Sequence, residues 1–252
     1  MKKIVIVCLC GILIGACAAD TTIPDMTAEN LYQKAYKLFE KNDYDGAAKY
    51  FDEVERQHPY SVWAPRAQIM TAYSFYRKNQ YDDAILALDR FIQLHPGNKN
   101  APYAYYLKGL CYFEQMSDIA REQQMSADAQ KNFATLIARY PNSVYVADAQ
   151  AKLKVIADQL AGKEMAVGRY YLKQKEYISA LNRFQTVVQN HGNTNQVNEA
   201  YYRMAVCYTA LGLTAEADKI ANRLYKVYPN TKWTKKTFSL LKKYQPKVKE
   251  KK

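Results

Sequence analysis

Two stretches of this chain are near copies of one another. Residues 41–59 read KNDYDGAAKYFDEVERQHP, and residues 78–96, thirty-seven positions later, read KNQYDDAILALDRFIQLHP. Eight of the nineteen positions are identical, and both copies close on His-Pro. A unit that recurs at a fixed period of 20 to 50 residues is the signature of a repeat architecture, in which neighbouring units bury each other's apolar faces.

The small and large apolar residues of the copies recur in five units. A small residue in a first helix (helix A) and another in a second helix (helix B) let the two backbones approach closely. A large residue four positions later fills the adjoining groove, and a proline or glycine ends helix B. In order, the units hold Ala35, Ala47, Phe51 and Pro59; Ala72, Ala84, Leu88 and Pro96; Gly109, Ala129, Phe133 and Pro141; Gly168, Ala180, Phe184 and Gly192; Ala205, Ala217, Ala221 and Pro229.

This spacing resembles the tetratricopeptide repeat. The resemblance implies an all-α fold, a right-handed superhelical solenoid of five tetratricopeptide helix pairs. Residues 28–142 are predicted to hold repeats one to three, with an insertion at about 114–128 between the helices of the third. Residues 143–232 are predicted to hold a long helix, over about 143–174, and repeats four and five, because 51 residues separate Pro141 from Gly192.

The first sixteen residues have the pattern of a signal peptide. Lys2 and Lys3 precede a thirteen-residue apolar run, which at ~1.5 Å per helical residue is too short to cross the ~30 Å hydrocarbon core. The run ends in Leu-Ile-Gly-Ala before Cys17, which resembles the lipobox of bacterial lipoproteins; an ordinary secretory signal is the alternative. The resemblance implies an N-acyl diacylglycerol group on Cys17, a tether over residues 17–27, and anchoring at the periplasmic face of the outer membrane.

The net charge of +12 is concentrated at the carboxyl end. Residues 232–252 contain nine lysines and a single acidic residue, Glu250, so that the folded body between the two ends is only slightly basic. A chain that is basic only in its tail does not present a nucleic-acid groove. Residues 233–252 are therefore predicted to be a Lys-rich, solvated tail, with contact to anionic lipid or to an acidic partner as the alternative.

Catalytic and metal-binding patterns are missing from the sequence. It contains no phosphate-binding loop, no His-Glu-x-x-His and no Gly-x-Ser-x-Gly. The three histidines, His58, His95 and His191, each precede the proline or glycine that closes a repeat, where they suit a helix C-terminus. Cys111 and Cys207 lie two repeats apart, so they are predicted to be buried, unpaired thiols. We therefore expect neither an enzyme, nor a metal site, nor a cofactor other than the lipid.

Tyrosine is the unusual residue type, with 23 copies. Helices A of repeats two and three hold several of them, and the A helices of such solenoids usually line the binding surface. Tyrosine supplies contact area at low entropic cost together with a hydroxyl group. Arg66, Arg77 and Arg90 lie in the same region of the sequence. The sequence thus predicts a groove for an extended, aromatic-rich peptide, although some of the tyrosines must serve helix packing.

Three longer strings, together with the lipobox and five repeats, resemble the BamD family (also called ComL or YfiO), lipoproteins of the β-barrel assembly machinery. These strings are HPYSVWAPRAQ, AYSFYRKNQYDDAILALDRFIQLHP and RYPNSVYVADA. The resemblance implies a non-enzymatic assembly factor that binds a POTRA domain of BamA through Asn182 and Arg183. It also implies that the N-terminal repeats receive the C-terminal β-signal of unfolded outer-membrane proteins. Our hypothesis for this chain is that repeats one and two hold such a strand against Tyr60, Tyr73 and Tyr76, with Arg66 and Arg90 near its carboxylate.

Two other functions are compatible with parts of the sequence. Another periplasmic repeat lipoprotein, of the Tol–Pal or cell-division coordinator type, would share the anchor and the repeats, but such proteins usually carry a coiled coil and no heptad run occurs here. An envelope enzyme would need a catalytic group that the sequence lacks. Which other Bam lipoproteins bind the chain is left open by the resemblance.

Overall fold

The computed structural model describes residues 23–116 and 124–244, and within these ranges it contains eleven α-helices and no β-strand. The predicted signal peptide, Cys17, the middle of the repeat-three insertion and the last eight residues lie outside the described ranges. The helices are α1 (Ala28–Glu40), α2 (Tyr44–Gln57), α3 (Ala64–Arg77), α4 (Tyr81–Leu94), α5 (Ala101–Glu114), α6 (Gln124–Arg139), α7 (Val146–Lys173), α8 (Tyr177–Asn190), α9 (Val197–Ala210), α10 (Thr214–Val227) and α11 (Lys232–Tyr244).

Each helix packs against the next one along the chain, and successive A helices α1, α3 and α5 also touch. The pairs α1–α2, α3–α4, α5–α6 and α9–α10 form repeats one, two, three and five, and the fourth repeat pairs the end of α7 with α8. The all-α tetratricopeptide solenoid predicted from the sequence is therefore the observed fold. None of the described helices is both long enough and apolar enough to cross a membrane.

The turn between helices A and B needs one residue with a left-handed backbone. Asn42, Asn79, Lys175 and Gly212 supply it in repeats one, two, four and five, with φ values of 62°, 60°, 65° and 77°. Asparagine and glycine tolerate this conformation better than other residues do. In repeats one and two the first tyrosine of helix B covers the turn: the Tyr44 hydroxyl donates to Asn42 Oδ1 at 2.6 Å and the Tyr81 hydroxyl to Asn79 Oδ1 at 2.9 Å.

The small residues of helix A lie where helix B crosses it. A Cβ atom added to Gly109 would lie 2.6 Å from Phe133 Cε1, and one added to Gly168 would lie 2.5 Å from Phe184 Cε1. Both phenylalanines are completely buried. The alternation of small and large residues seen in the sequence is thus a steric requirement of the helix crossing.

The three histidines cap helices, as their positions in the sequence suggested. His58, His95 and His191 are the C-cap residues of α2, α4 and α8, and their backbone N–H groups donate to Val54, Phe91 and Val187 respectively. His58 has a second role, since its Nε2 donates to the Met26 carbonyl oxygen at 2.6 Å.

The end of the predicted tether is part of the folded body. Besides the His58 bond, the Met26 N–H donates to Gln57 Oε1 at 3.0 Å, and Ile23 and Met26 pack against the core of repeat one. Residues 23–27 are therefore held against the C-terminal end of α2. The prediction of a tether over residues 17–27 is therefore wrong for residues 23–27. Residues 17–22 lie outside the described residues.

The long helix predicted at about 143–174 is observed as α7, over Val146–Lys173. Its first half packs against α6 and its second half against α8. Ala149 and Ile156 are buried in the core of repeat three, whereas Ala161 and Met165 are buried in the core of repeat four. One continuous helix thus closes one repeat and opens the next.

The predicted Lys-rich tail is not a solvated end over its first part. Residues 232–244 form α11, which packs against α9 and α10. Thr234, Thr237 and Leu241 are buried, and their spacing of three and four residues places them on one face of the helix. The prediction of a solvated tail from residue 233 is therefore wrong for these residues, because this narrow face suffices to dock the helix.

Candidate functional site

One face of α3 carries two of the candidate binding residues, Arg66 and Tyr73, together with Arg77. Arg66, Tyr73 and Arg77 are seven and four residues apart, so they fall on the same side of the helix. The Arg66 guanidinium lies over the Trp63 ring at 5.6 Å, and Trp63 contacts Tyr32 of α1 at 4.8 Å. This side of α3 therefore continues onto α1.

Aromatic rings form a continuous row across the A helices, which we call the aromatic ladder. Neighbouring ring centroids in it are 4.9 to 6.5 Å apart. Its members, in order of contact, are Tyr44, Phe39, Tyr73, Tyr103, Tyr145 and Tyr106. It connects repeats one to three, so the tyrosines that the sequence assigned to binding also join neighbouring repeats.

Arg77 is the cation of the aromatic ladder. Its guanidinium lies 4.9 Å from the ring centroid of Tyr44 and 5.9 Å from those of Phe39 and Tyr73, and the residue remains exposed. A guanidinium over several aromatic faces keeps its charge available to a ligand. From the sequence, Arg77 was expected in this region but was not assigned to the site; its spacing of four residues from Tyr73 was the available signal.

Tyr76 lies beside the ladder, with its ring centroid 6.2 Å from that of Tyr73 and 5.8 Å from that of Tyr81. Burial, with a smaller contribution from the negative charge of Glu114, raises the pKa of Tyr76 to about 12. Burial and a hydrogen bond to Asp148 likewise raise the pKa of Tyr106. At neutral pH these phenols are therefore protonated hydrogen-bond donors.

The structure places Arg90 apart from the ladder. Arg90 belongs to helix B of repeat two, and its Nη2 lies 2.7 Å from Glu55 Oε1 on helix B of repeat one. Together with Pro59 these two residues line a depression of about 420 Å³. Tyr60, which follows Pro59, is fully exposed. The five residues grouped by the sequence prediction thus divide into an A-helix surface, with Arg66, Tyr73 and Tyr76, and a B-helix surface, with Tyr60 and Arg90.

The second candidate surface lies on repeat four. Asn182 and Arg183 are exposed neighbours on α8, and they line a shallow depression of about 240 Å³ together with Tyr171, Ser179 and Thr186. Arg183 Nη1 lies 3.2 Å from Glu164 Oε2 on α7. Because the Arg183 side chain is 45% exposed, the ion pair orients the guanidinium without removing it from solvent.

The chemistry of these surfaces is that of binding. No group of three His, Cys, Asp or Glu side chains that could hold a metal ion occurs in residues 23–116 and 124–244. Cys111 and Cys207 are buried and unpaired, and burial raises the pKa of their thiols to about 12 and about 11. Such thiols are protonated at neutral pH and poor nucleophiles.

Comparison with known proteins relates the chain to one family. The family described as YfiO, outer membrane lipoprotein, matches residues 24–224. A protein of Caulobacter vibrioides named outer membrane protein assembly factor BamD is 39% identical over 90% of this chain and 76% of its own length. Proteins of the same name from Rickettsia prowazekii and Neisseria meningitidis are 37% and 35% identical, over 93% and 84% of this chain and 94% and 86% of their own lengths.

Among solved structures, the tetratricopeptide domain of P58(IPK) has a TM-score of 0.44 to this chain at 14% identity, covering 85% of this chain and 56% of that one. The relatives carry the family assignment, because the match extends over four of the five helix pairs and into the fifth. The chain belongs to the YfiO family of outer membrane lipoproteins, the family of the proteins named BamD.

Proposed function

We propose that this chain is a non-enzymatic scaffold for the assembly of outer-membrane proteins, anchored to the outer membrane by lipid on Cys17. The observation that carries the proposal is the family relationship: curated relatives at 35–39% identity over most of the chain are named assembly factors. That shared name favours this function over a Tol–Pal or cell-division scaffold. Within this function we propose two binding surfaces, one for BamA and one for unfolded barrel proteins.

The proposed BamA surface is the exposed face of repeat four around Asn182 and Arg183. The Arg183 guanidinium is held by Glu164 on one side and has donors left on the other. A planar, always charged guanidinium is suited to paired hydrogen bonds with a carboxylate on a folded domain, such as a POTRA domain. The neighbouring Asn182 side chain can add a donor and an acceptor.

Reversal of the charge at residue 183 tests this surface. Arg183→Glu places a carboxylate beside Glu164, so we expect BamA co-purification to fall at least tenfold. Arg169→Glu is a matched control, because Arg169 is also an exposed arginine on repeat four and pairs with Glu199 at 3.3 Å. Equal recovery of BamA with the two variants would disprove the BamA surface, and melting temperatures would show that both variants fold.

The proposed surface for unfolded barrel proteins is the A-helix surface of repeats one and two. Arg66 and Arg77 lie at the two ends of the same face of α3, with Tyr73 between them. Tyr36, on the adjoining face of α1, is 41% exposed. Exposed aromatic faces suit the aromatic side chains of a β-signal strand, and either arginine can pair with its terminal carboxylate. Tyr60 and Arg90 would meet the chain only where it passes onto the B-helix surface.

Site-specific crosslinking tests the peptide surface. A photoreactive residue at Tyr36 should capture a peptide that carries the C-terminal strand of a barrel protein, and Arg66→Glu with Arg77→Glu should reduce the capture several-fold. A photoreactive residue at Leu86, which is 71% exposed on helix B of repeat two, is the control. Capture at Leu86 as strong as at Tyr36 would contradict the proposal.

The lipid anchor would set the distance of repeat one from the membrane. Six residue steps separate Cys17 from Ile23, and a fully extended chain covers at most ~3.6 Å per residue. Since Ile23 and Met26 are docked on repeat one, the start of the folded body at Ile23 would be held within about 22 Å of the acylated residue. Cys17→Ser should release the chain from the outer-membrane fraction.

A further inference from the structure

Helix α11 lies outside the five repeat pairs, and within the described residues one of its faces is exposed to solvent. Its inner face, with Thr234, Thr237 and Leu241, is buried against α9 and α10, and its Trp233 ring lies 5.3 Å from that of Tyr202. The opposite face is exposed and is rich in lysine. We call it the lysine face; its residues are Lys235, Lys236, Ser239, Lys242 and Lys243.

The charges of the lysine face are not compensated locally. The sequence has no acidic residue from 219 to 249, a range that includes all of α11. Among the described residues, no ion pair involves a lysine of this helix. By contrast, Lys78, Lys108 and Arg90 each pair with a carboxylate of a neighbouring helix. The lysine face therefore presents concentrated positive charge on a body that is otherwise nearly neutral.

Exposed aromatic rings flank the lysine face at its borders with the buried face. Phe238 is 42% exposed, and its ring meets the exposed ring of Tyr225 edge-on with the centroids 5.8 Å apart. Tyr244 is also exposed at the end of the helix. Lysine around exposed aromatic rings is the arrangement by which an amphipathic helix enters the headgroup region of a membrane, since the rings enter the interface and the long lysine stems reach the phosphates.

The residue type favours a lipid surface over a protein as the occupant. All nine basic residues of 232–252 are lysines, and none is an arginine. Protein interfaces are enriched in arginine and depleted in lysine, because the guanidinium makes paired hydrogen bonds with a carboxylate. Attraction to anionic headgroups requires only clustered point charge, which lysine supplies.

We propose that the lysine face of α11 binds the headgroups of anionic phospholipids, giving the chain a second membrane contact at the opposite end of the solenoid from Cys17. With both ends at the membrane, the solenoid would lie along its surface and could not swing freely about the lipid anchor. The inference goes beyond the scaffold function and does not depend on the BamA or peptide surfaces.

A fluorescent probe on the lysine face tests the proposal in the full chain as the cell produces it. Ser239→Cys can be labelled selectively with an environment-sensitive dye, because Cys111 and Cys207 are buried. We expect the dye emission to rise at least twofold on vesicles containing 30% phosphatidylglycerol and to stay unchanged on phosphatidylcholine vesicles. The rise should disappear in 0.5 M salt, since it depends on surface charge.

Two sets of substitutions complete the test. Conversion of Lys235, Lys236, Lys242 and Lys243 to glutamine should abolish the rise, whereas conversion of Lys37, Lys41, Lys131 and Lys154, which are exposed elsewhere, removes the same charge and should preserve it. Equal responses of the two variants would overturn the proposal. The proposal would also be overturned if the dye emission stayed unchanged on anionic vesicles but rose with purified BamA, because the lysine face would then be a protein-docking surface.

Discussion

At the scale of single residues, the crossing of helices A and B fixes which side chains are possible. Ala35 in repeat one occupies the position that Gly109 and Gly168 occupy in repeats three and four, where helix B crosses helix A. In the latter two repeats the edge of a buried phenylalanine ring lies so close that even a methyl group has no room. Glycine in a helix interior is unfavourable by about 1 kcal/mol relative to alanine, so these positions keep it for steric reasons.

Gly109→Ala tests this steric requirement. The added methyl group would overlap the Phe133 ring, and overpacking of this kind typically costs about 1–3 kcal/mol, which exceeds the gain in helix propensity. We therefore expect the free energy of unfolding, measured with urea, to fall by about 1–2 kcal/mol. Gly97→Ala is the control, since an added Cβ at residue 97 meets no atom within 4 Å. A Gly109→Ala protein as stable as the parent would contradict this account.

At the scale of elements, the helices that depart from the pair pattern decide how the solenoid is joined and closed. Helix α7 is shared between repeats three and four, so a single unbroken helix joins the two halves of the solenoid. Helix α11 covers the side of α9 that a following repeat would otherwise occupy. Terminal repeats of solenoids need such a cap with a polar outer face, and the lysines of α11 provide that face.

Truncation of the α11 anchor tests its role as a cap. Leu241 is 8% exposed and packs against the core that includes Ala217 and Ala221. Leu241→Ala should lower the free energy of unfolding by about 2–3 kcal/mol, as truncation of a buried leucine does elsewhere. The same substitution at Leu86, which is largely exposed, should change it by less than about 0.5 kcal/mol. If both substitutions had the same small effect, α11 would not be a structural cap.

At the scale of the whole molecule, half-buried phenols and buried thiols are distributed over several repeats. Burial raises the pKa of Tyr76 and Cys111 to about 12 and that of Cys207 to about 11, and it also raises that of Tyr103. In every case the fold favours the protonated form. The protein is thus built to be stable at pH values at which all these groups keep their protons.

This distribution predicts loss of stability in alkali. Because the folded-state pKa values exceed those of the unfolded chain, near 9 for thiols and 10 for phenols, their contribution is complete below about pH 9 and declines as the pH rises toward 11 to 12. The melting temperature should therefore be lower at pH 10.5 than at pH 8. Tyr76→Phe, which removes one ionisable group, should reduce that difference, and an unchanged melting temperature across this range would contradict the prediction.

For much of the candidate site, the sequence predicted which residues are involved but not which side chains they contact. Tyr73, Arg66 and Arg183 could be assigned to helices from the repeat register, and the register was correct. The side chains that contact them could not be predicted from the sequence. The Tyr73 ring contacts Phe39 of repeat one and Tyr103 of repeat three, and Arg183 pairs with Glu164, nineteen residues earlier in the chain. Arg90 was grouped with the tyrosines because it is near them in the sequence, but helices A and B present different surfaces.

The sequence by itself determined the helix pairs, their turns and the long α7, since small residues, left-handed asparagines and closing prolines act within a few residues of where they stand. Only the tertiary structure decided which of those helices meet and what remains exposed. It docked residues 23–27 on α2, folded residues 232–244 onto α9, and placed Arg77 over the aromatic ladder. The physical reason is that these contacts join residues far apart in the chain, and burial across such distances is settled only when all the repeats are packed together.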